Sequence, residues 1–140
     1  MNESGLMLCV RLKKYPDFWC LPGGTLDAGE DYVTAVKREC IEELGIAPEL
    51  GNPVYVQQIF ENSEMILDEI GFAVKNYSEF EDFDLTKTSH GAIEIEEAAF
   101  IDITKVHFLP ANLKTLLPDS YSKLLTMPCQ VFSNTIEHDR

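Results

Sequence analysis

One segment constrains this chain more than any other. From about Asp31 to Leu44, the residues Val33, Val36, Cys40 and Leu44 recur at spacings of three, four and four, the signature of one buried stripe on a helix. On the face opposite that stripe lie Arg38, Glu39, Glu42 and Glu43. Residues three and four apart on a helix are neighbours, so the three carboxylates share a face about one turn long. Like charges so placed repel and weaken an isolated helix, and something must compensate. Asp27 and Glu30 have capping-box spacing at the helix start, and Gly45 suits the left-handed position just past its end.

The plain reading of E-x-x-E-E is a solvated acidic face, which is what most charge runs are. The neighbourhood points elsewhere. Pro22-Gly23-Gly24 precedes the helix, and its two glycines permit backbone conformations and close approaches that a side chain forbids. A loop that presents bare carbonyls beside hard carboxylate oxygens is a donor set for Mg²⁺ or Mn²⁺. Such an ion relieves the repulsion and holds the carboxylates ionised. The twelve-residue calcium loop with alternating Asp and Asn ligands is absent.

Around this segment the pattern is that of one domain spanning 1–140, with no internal repeat and no low-complexity linker. Leu6 to Leu12 has strand length and is closed by a turn at Lys13-Lys14-Tyr15-Pro16-Asp17. Val54 to Phe60, Met65 to Val74 and Ala98 to Ile103 read as further strands. Ala111 to Leu117 and Tyr121 to Leu125 read as two short helices separated by Pro118. The mixed order predicts an α/β fold, a mixed sheet with flanking helices.

Charge bears on partners. The chain carries 24 Asp plus Glu against 11 Lys plus Arg, a net −13, the opposite of what a protein needs to grip nucleic acid through its phosphates. The excess sits in three places: −3 in residues 30–43, −7 in residues 61–84, and −3 in Glu94, Glu96 and Glu97. The four cysteines, Cys9, Cys20, Cys40 and Cys129, show no C-x-x-C spacing and read as reduced core residues of a cytoplasmic protein. No segment approaches the roughly 20 apolar residues of a membrane span.

Gly24, five residues, Glu30, seven residues, then Arg38-Glu39-Cys40-Ile41-Glu42-Glu43-Leu44-Gly45-Ile46 resembles the Nudix box, G-x5-E-x7-R-E-U-x-E-E-x-G-U with U aliphatic. A chance match in a chain of this length is about one in 10⁶ or rarer. Cys40 stands where an aliphatic residue is usual and, as a small hydrophobe, fills the same place. Phe18-Trp19-Cys20-Leu21 before the loop is similar to the family's lead-in, and Glu94-Ile95-Glu96-Glu97-Ala98-Ala99-Phe100 to its late loop entering a strand.

The resemblance implies a Nudix-type α/β/α sandwich and a Mg²⁺- or Mn²⁺-dependent hydrolase that cuts the pyrophosphate linkage of a small-molecule nucleoside diphosphate derivative, with nucleic acid a partner only as a capped end. It implies that Glu42, Glu43 and the carbonyl of Gly23 ligate metal, and that Glu39 is a ligand or the base for the attacking water. Arg38 and Glu30 then orient groups within the site. A further catalytic acid is expected from the late loop, Glu94 by position, with Glu97 as its alternate. Tyr15, Phe18 and Trp19 are as readily core as base-stacking, and His90 reads as a loop residue.

Members of the family usually have a strand before the one at Leu6 to Leu12, whereas only Met1-Asn2-Glu3-Ser4-Gly5 precedes it here. A sheet lacking its first N-terminal strand, a homodimer in which a partner completes it, and a start placed too late each fit that departure. Two rival functions accompany the hydrolase: a Nudix-fold sensor that binds a nucleotide derivative without cutting it, and a metal-binding acidic helix with no substrate. Accessory patterns of coenzyme A, NADH, ADP-ribose and dinucleoside polyphosphate specialists are not evident, so the substrate and its contacts stay open.

Overall fold

The computed structural model describes residues 1–126 and the backbone of 130–135. Its strands are β1 (Met7–Leu12), β2 (Trp19–Cys20), β3 (Leu50–Glu61), β4 (Glu64–Val74), β5 (Ile95–Ile101), β6 (Phe108–Leu109) and β7 (Gln130–Thr135). Its helices are α1 (Tyr32–Leu44), the single turn α2 (Gly91–Glu94) and α3 (Leu113–Leu124), with 3₁₀ turns at Tyr77–Glu81, Leu85–Lys87 and Ile103–Lys105. The expected mixed α/β architecture is present. It is built on two sheets rather than one, ordered β5-β1-β2-β6 and β4-β3-β7.

Both sheets are mixed. β1 pairs antiparallel with β2 and β5, while β2 runs parallel to β6. In the other sheet, β3 and β4 form a hairpin whose two-residue turn, Asn62-Ser63, has positive φ at both positions, as a turn matched to strand twist requires. The hairpin begins earlier than the apolar run suggests, at Leu50, with irregularities in register around Pro53.

Among the described residues no strand precedes β1. Asn2 instead closes a turn there, its side chain accepting from the backbone N–H of Ser4 and Leu6. The flank of β3 away from β4 is covered by β7, running parallel from Tyr55↔Gln130 to Phe60↔Thr135. Among the described residues, then, β3 is paired on both sides within one chain. Cys129 lies outside the described residues.

Three local expectations change. The two short helices are one, since α3 runs through Pro118. An interior proline costs about 3 kcal/mol. Leu113, Leu117, Tyr121 and Leu124 are buried along the same face, and each large apolar side chain buried gains roughly 1.5–3 kcal/mol, which outweighs it. Helix α1 is capped by Asp31, which accepts from Thr34 N–H at 2.7 Å, while Asp27 and Glu30 make their own turn before it. The buried face of α1 is also rotated: Val33 is 45% exposed, and Ala35, Cys40, Glu43 and Leu44 are buried. Gly45 ends the helix as expected, at φ 75° with its N–H bonded to Ile41 O.

The core has two parts. Met7, Cys9, Tyr55, Ile103, Phe108 and the buried face of α3 form one; Val10, Leu44, Phe80 and Ile95 form the other and seat α1 on β1 and β5. Among the described residues no helix is long and apolar enough to cross a membrane.

Candidate functional site

Residues 23–30 lie along the middle and last turns of α1, reaching Arg38, Glu39 and Glu43, and both glycines of the loop matter there. Gly23 adopts φ 144°, which side chains disfavour. Gly24 lies against Glu39 so closely that a Cβ would strike its carboxylate.

Arg38 ties the loop to the helix. Its Nε and Nη2 donate to the two oxygens of Glu30 at 3.0 and 2.9 Å, and Nη2 also donates to Thr25 O. Its Nη1 donates to Glu39 Oε1 and Glu42 Oε2, both at 3.0 Å. Glu30 in turn accepts from Asp27 N–H. The hydrogen bond from Arg38 holds the Glu30 carboxyl below its usual range, and Glu30 raises the Arg38 guanidinium. A lone i,i+4 surface pair is worth little. Arg38 hydrogen-bonds to three carboxylates and a carbonyl at once and lies 3.6 Å from a fourth, Asp27, which makes it an organiser of the site.

Glu43 is the residue whose surroundings the helical pattern misjudges. It is not on a solvated face but 4% exposed, with Oε2 accepting from Gly23 N–H at 3.0 Å. Burial pushes its carboxyl up to about 7; the Gly23 bond opposes this, while Glu39, Glu94 and Glu42 reinforce it. The sign follows. Between the ordinary value of 4.5 and about 7 the folded protein keeps a proton that the unfolded chain has released, so stability falls as pH rises through that window. At 1.36 kcal/mol per unit the loss is about 3 kcal/mol, complete above pH 7. In urea unfolding with chelator present, Glu43→Gln is expected to remove that part of the decline between pH 4.5 and 7.5. A variant whose pH profile parallels the parent's would overturn the assignment.

Among the described residues no three His, Cys, Asp or Glu side chains form a ready-made ligand cage, because Arg38 holds Glu39 and Glu42. The donor set nevertheless fits a hard cation. Glu39, Glu42 and Glu43 each have one oxygen held by the protein, and their Oε2, Oε1 and Oε1 respectively have no partner among the described residues. The carbonyl of Gly23 lies in the same loop that Glu43 contacts.

The late loop sorts its acids. Glu97 is bound by Arg11 at 2.7 Å and Glu96 lies 3.9 Å from the same guanidinium, so both serve the β1–β5 edge. Glu94 is exposed, near enough for its charge to bear on Glu43, and its carbonyl accepts from Lys13 N–H. His90, read from sequence as a loop residue, adjoins the site: Nδ1 is 3.2 Å from Glu42 Oε2, and its N–H donates to Glu42 O at 2.9 Å. The only signal for it is its place just before the late acid. Trp19 packs on the core beneath Arg11, Phe18 against His107, and Tyr15 is exposed. None of the three lines the cavity.

That cavity, about 400 Å³, opens beside Gly23 and Gly24 and runs between α1 and the β3–β4 hairpin. It has the size of a small-ligand pocket and mostly apolar walls. Asp68 and Glu69 are on its lining, which gives part of the acidic 61–84 segment a place at the site.

A NUDIX domain model matches residues 1–117. Over 58 residues the chain is 41% identical to a protein of Bacillus subtilis (strain 168) named putative 8-oxo-dGTP diphosphatase, a match covering 41% of this chain and 38% of that protein. Over 63 residues it is 38% identical to diphosphoinositol polyphosphate phosphohydrolase 2 of Homo sapiens, covering 45% of this chain and 33% of that protein. The chain thus matches between 33% and 38% of the length of these curated relatives. A solved ADP-ribose pyrophosphatase from Streptococcus suis 89-1591 superposes with a TM-score of 0.53 at 17% identity, covering 94% of this chain and 92% of that one, a likeness of fold.

Proposed function

That the chain belongs to the NUDIX family is the premise from which we propose that it is a metal-dependent hydrolase, cleaving the pyrophosphate linkage of a nucleoside diphosphate joined to another group. One observation carries this reading. Three carboxylates, each with a free oxygen, stand on α1, and the Gly23–Gly24 loop that touches two of them, Glu43 and Glu39, also lines a cavity of nucleoside size.

Glu39, Glu42, Glu43 and the Gly23 carbonyl would hold Mg²⁺ or Mn²⁺, which when bound neutralises the diphosphate and makes a water more acidic. Arg38 and Glu30 keep the carboxylates in register with the loop. Water attacks one phosphorus, the bond from it to the bridging oxygen breaks, and the water's proton passes to a carboxylate. Glu39 and Glu94 are the candidates for that base; the pairing of Glu97 with Arg11 argues against it. An acidic chain of this kind takes a phosphate-bearing partner through its cation rather than through a basic surface.

We read the chain as a single domain acting on small molecules, with a capped RNA end as the nucleic-acid form of the same chemistry. A homodimer would have to pair elsewhere than along β3, which β4 and β7 already cover. The unpaired thiols of Cys9, Cys20 and Cys40 favour a reducing, cytoplasmic setting.

The test is a panel of nucleoside triphosphates, dinucleoside polyphosphates, nucleotide sugars, capped RNA and a diphosphoinositol polyphosphate, with Mg²⁺ and then Mn²⁺. Product release from at least one nucleoside compound, abolished by chelator and restored by the ion, is expected. Tight binding without turnover across the panel would replace the hydrolase with a sensor. Turnover of the inositol compound alone would overturn the nucleoside part.

A further inference from the structure

On the hairpin wall of the cavity that Gly23 and Gly24 also line, a carboxylate is mounted on a network of core side chains. Glu69, on β4, lies opposite Gln57 of β3 in the hairpin register. Its Oε1 accepts from Tyr55 Oη at 2.7 Å and from Gln57 Nε2 at 2.8 Å. Gln57 is completely buried, and its own Oε1 accepts from Asn112 Nδ2 at 2.9 Å. Tyr55 is 2% exposed, and its ring fits only because residue 71 across the hairpin is glycine; a Cβ there would collide with it. Three side chains from two parts of the chain thus immobilise one carboxylate, Tyr55 and Gln57 directly and Asn112 through Gln57.

A carboxylate kept for stability is normally paired with a cation. Among the described residues no Lys, Arg or His makes a salt bridge to Glu69, and its Oε2 has no hydrogen-bond partner. The wall of the cavity that it lines is largely apolar, including Leu21, Val54, Phe72, Phe80, Leu117 and Tyr121. An acceptor-only group fixed on such a wall discriminates between ligands by their donors.

We propose that Glu69 reads the base of the substrate and that the base is of guanine type. This rests on the reading of the Gly23–Gly24 end of the cavity as the diphosphate site. Of the common bases only guanine carries two adjacent N–H donors on one edge, the ring N1–H and the 2-amino group. Two neighbouring donors can share one carboxylate oxygen, and Oε2 retains both its acceptor sites. Adenine and cytosine place a ring lone pair beside their amino group, and uracil and thymine flank one N–H with two carbonyls. Each of these sets an acceptor against the carboxylate and is rejected.

The experiment measures binding rather than turnover, so its result is separable from that of the hydrolase reading. Dissociation constants are determined in Mg²⁺ for the α,β-methylene triphosphates of guanosine, inosine, adenosine and uridine. The guanosine compound is expected to bind about tenfold or more tightly than each of the others, inosine included, since inosine lacks only the 2-amino group. Glu69→Gln is expected to abolish that preference, and Tyr55→Phe, which frees one tether of the carboxylate, to reduce it. Equal affinity for all four compounds, or binding of none, overturns the proposal whether or not the variants fold. Equal weakening of all four in Glu69→Gln also overturns it, as the mark of a structural role. Turnover on the panel without base preference leaves the hydrolase standing and removes only this inference.

Discussion

Replacing Glu42 with glutamine is expected to lower turnover of any substrate found on the panel by about a hundredfold or more, with little change in folding stability. Glu42 Oε2 is shared by Arg38 Nη1 at 3.0 Å and His90 Nδ1 at 3.2 Å, and the side chain is partly open to solvent. An amide oxygen still accepts from Arg38, so shape and most of the hydrogen bonding survive. The charge does not, and with it goes a quarter of the proposed donor set of Glu39, Glu42, Glu43 and the Gly23 carbonyl. Substrate depletion followed at saturating Mg²⁺, beside thermal unfolding of both proteins, separates the two effects. Activity within about tenfold of the parent would show that Glu42 is part of the acidic face and not of the reacting centre.

Gly91→Ala is expected to cost about 3 kcal/mol of stability, the upper range for forcing one carbon into a packed interior. Gly91 is buried at the start of α2, where a Cβ would collide with the backbone carbonyl of Glu43 and with Thr88 Oγ1. The hydroxyl is a side-chain atom and can move, although it donates to Leu85 O. The carbonyl belongs to the last turn of α1 and cannot move without shifting the Glu43 carboxylate. Adding Thr88→Ala should therefore recover only part of the loss. A cost below about 1 kcal/mol, or full rescue by Thr88→Ala, would mean that the α1–α2 contact yields more easily than its geometry implies.

The two positions differ in how far the sequence announces them. Glu42 is legible there: the spacing of Gly24, Glu30, Arg38, Glu39, Glu42 and Glu43 is local, and a helix with a loop ahead of it converts local spacing into proximity. The role of Gly91 is not, because nothing in His90-Gly91-Ala92 indicates that the end of α1 lies against it. The helix cap sits a turn later than its spacing suggests for a similar reason. Asp27 and Glu30 do exchange the hydrogen bond of a capping box from one side, with Glu30 accepting from Asp27 N–H, but Arg38 draws Glu30 into the loop and leaves the cap to Asp31.

The acids outside the box divide in the same way. Strand register, set by pairing Arg11 with Glu97, takes the alternate base out of the site and leaves Glu94 near Glu43. The acidic stretch 61–84 places two members on the cavity wall, Asp68 and Glu69, while others lie in exposed turns.

What the sequence determined by itself is what depends on neighbours along the chain: the existence of α1, its left-handed end at Gly45, the strands that become β3 and β4, and the set of carboxylates carried on one helical turn. Only the tertiary structure decided which of those carboxylates is buried, that α3 continues through Pro118, that β7 closes the flank of β3, and that Tyr55, Gln57 and Asn112 hold Glu69 toward a cavity. Periodicity reports which side chains share a face. How much water each one loses, and which distant group it meets, is settled when faces from separate parts of the chain pack together and the burial gained outweighs local preference.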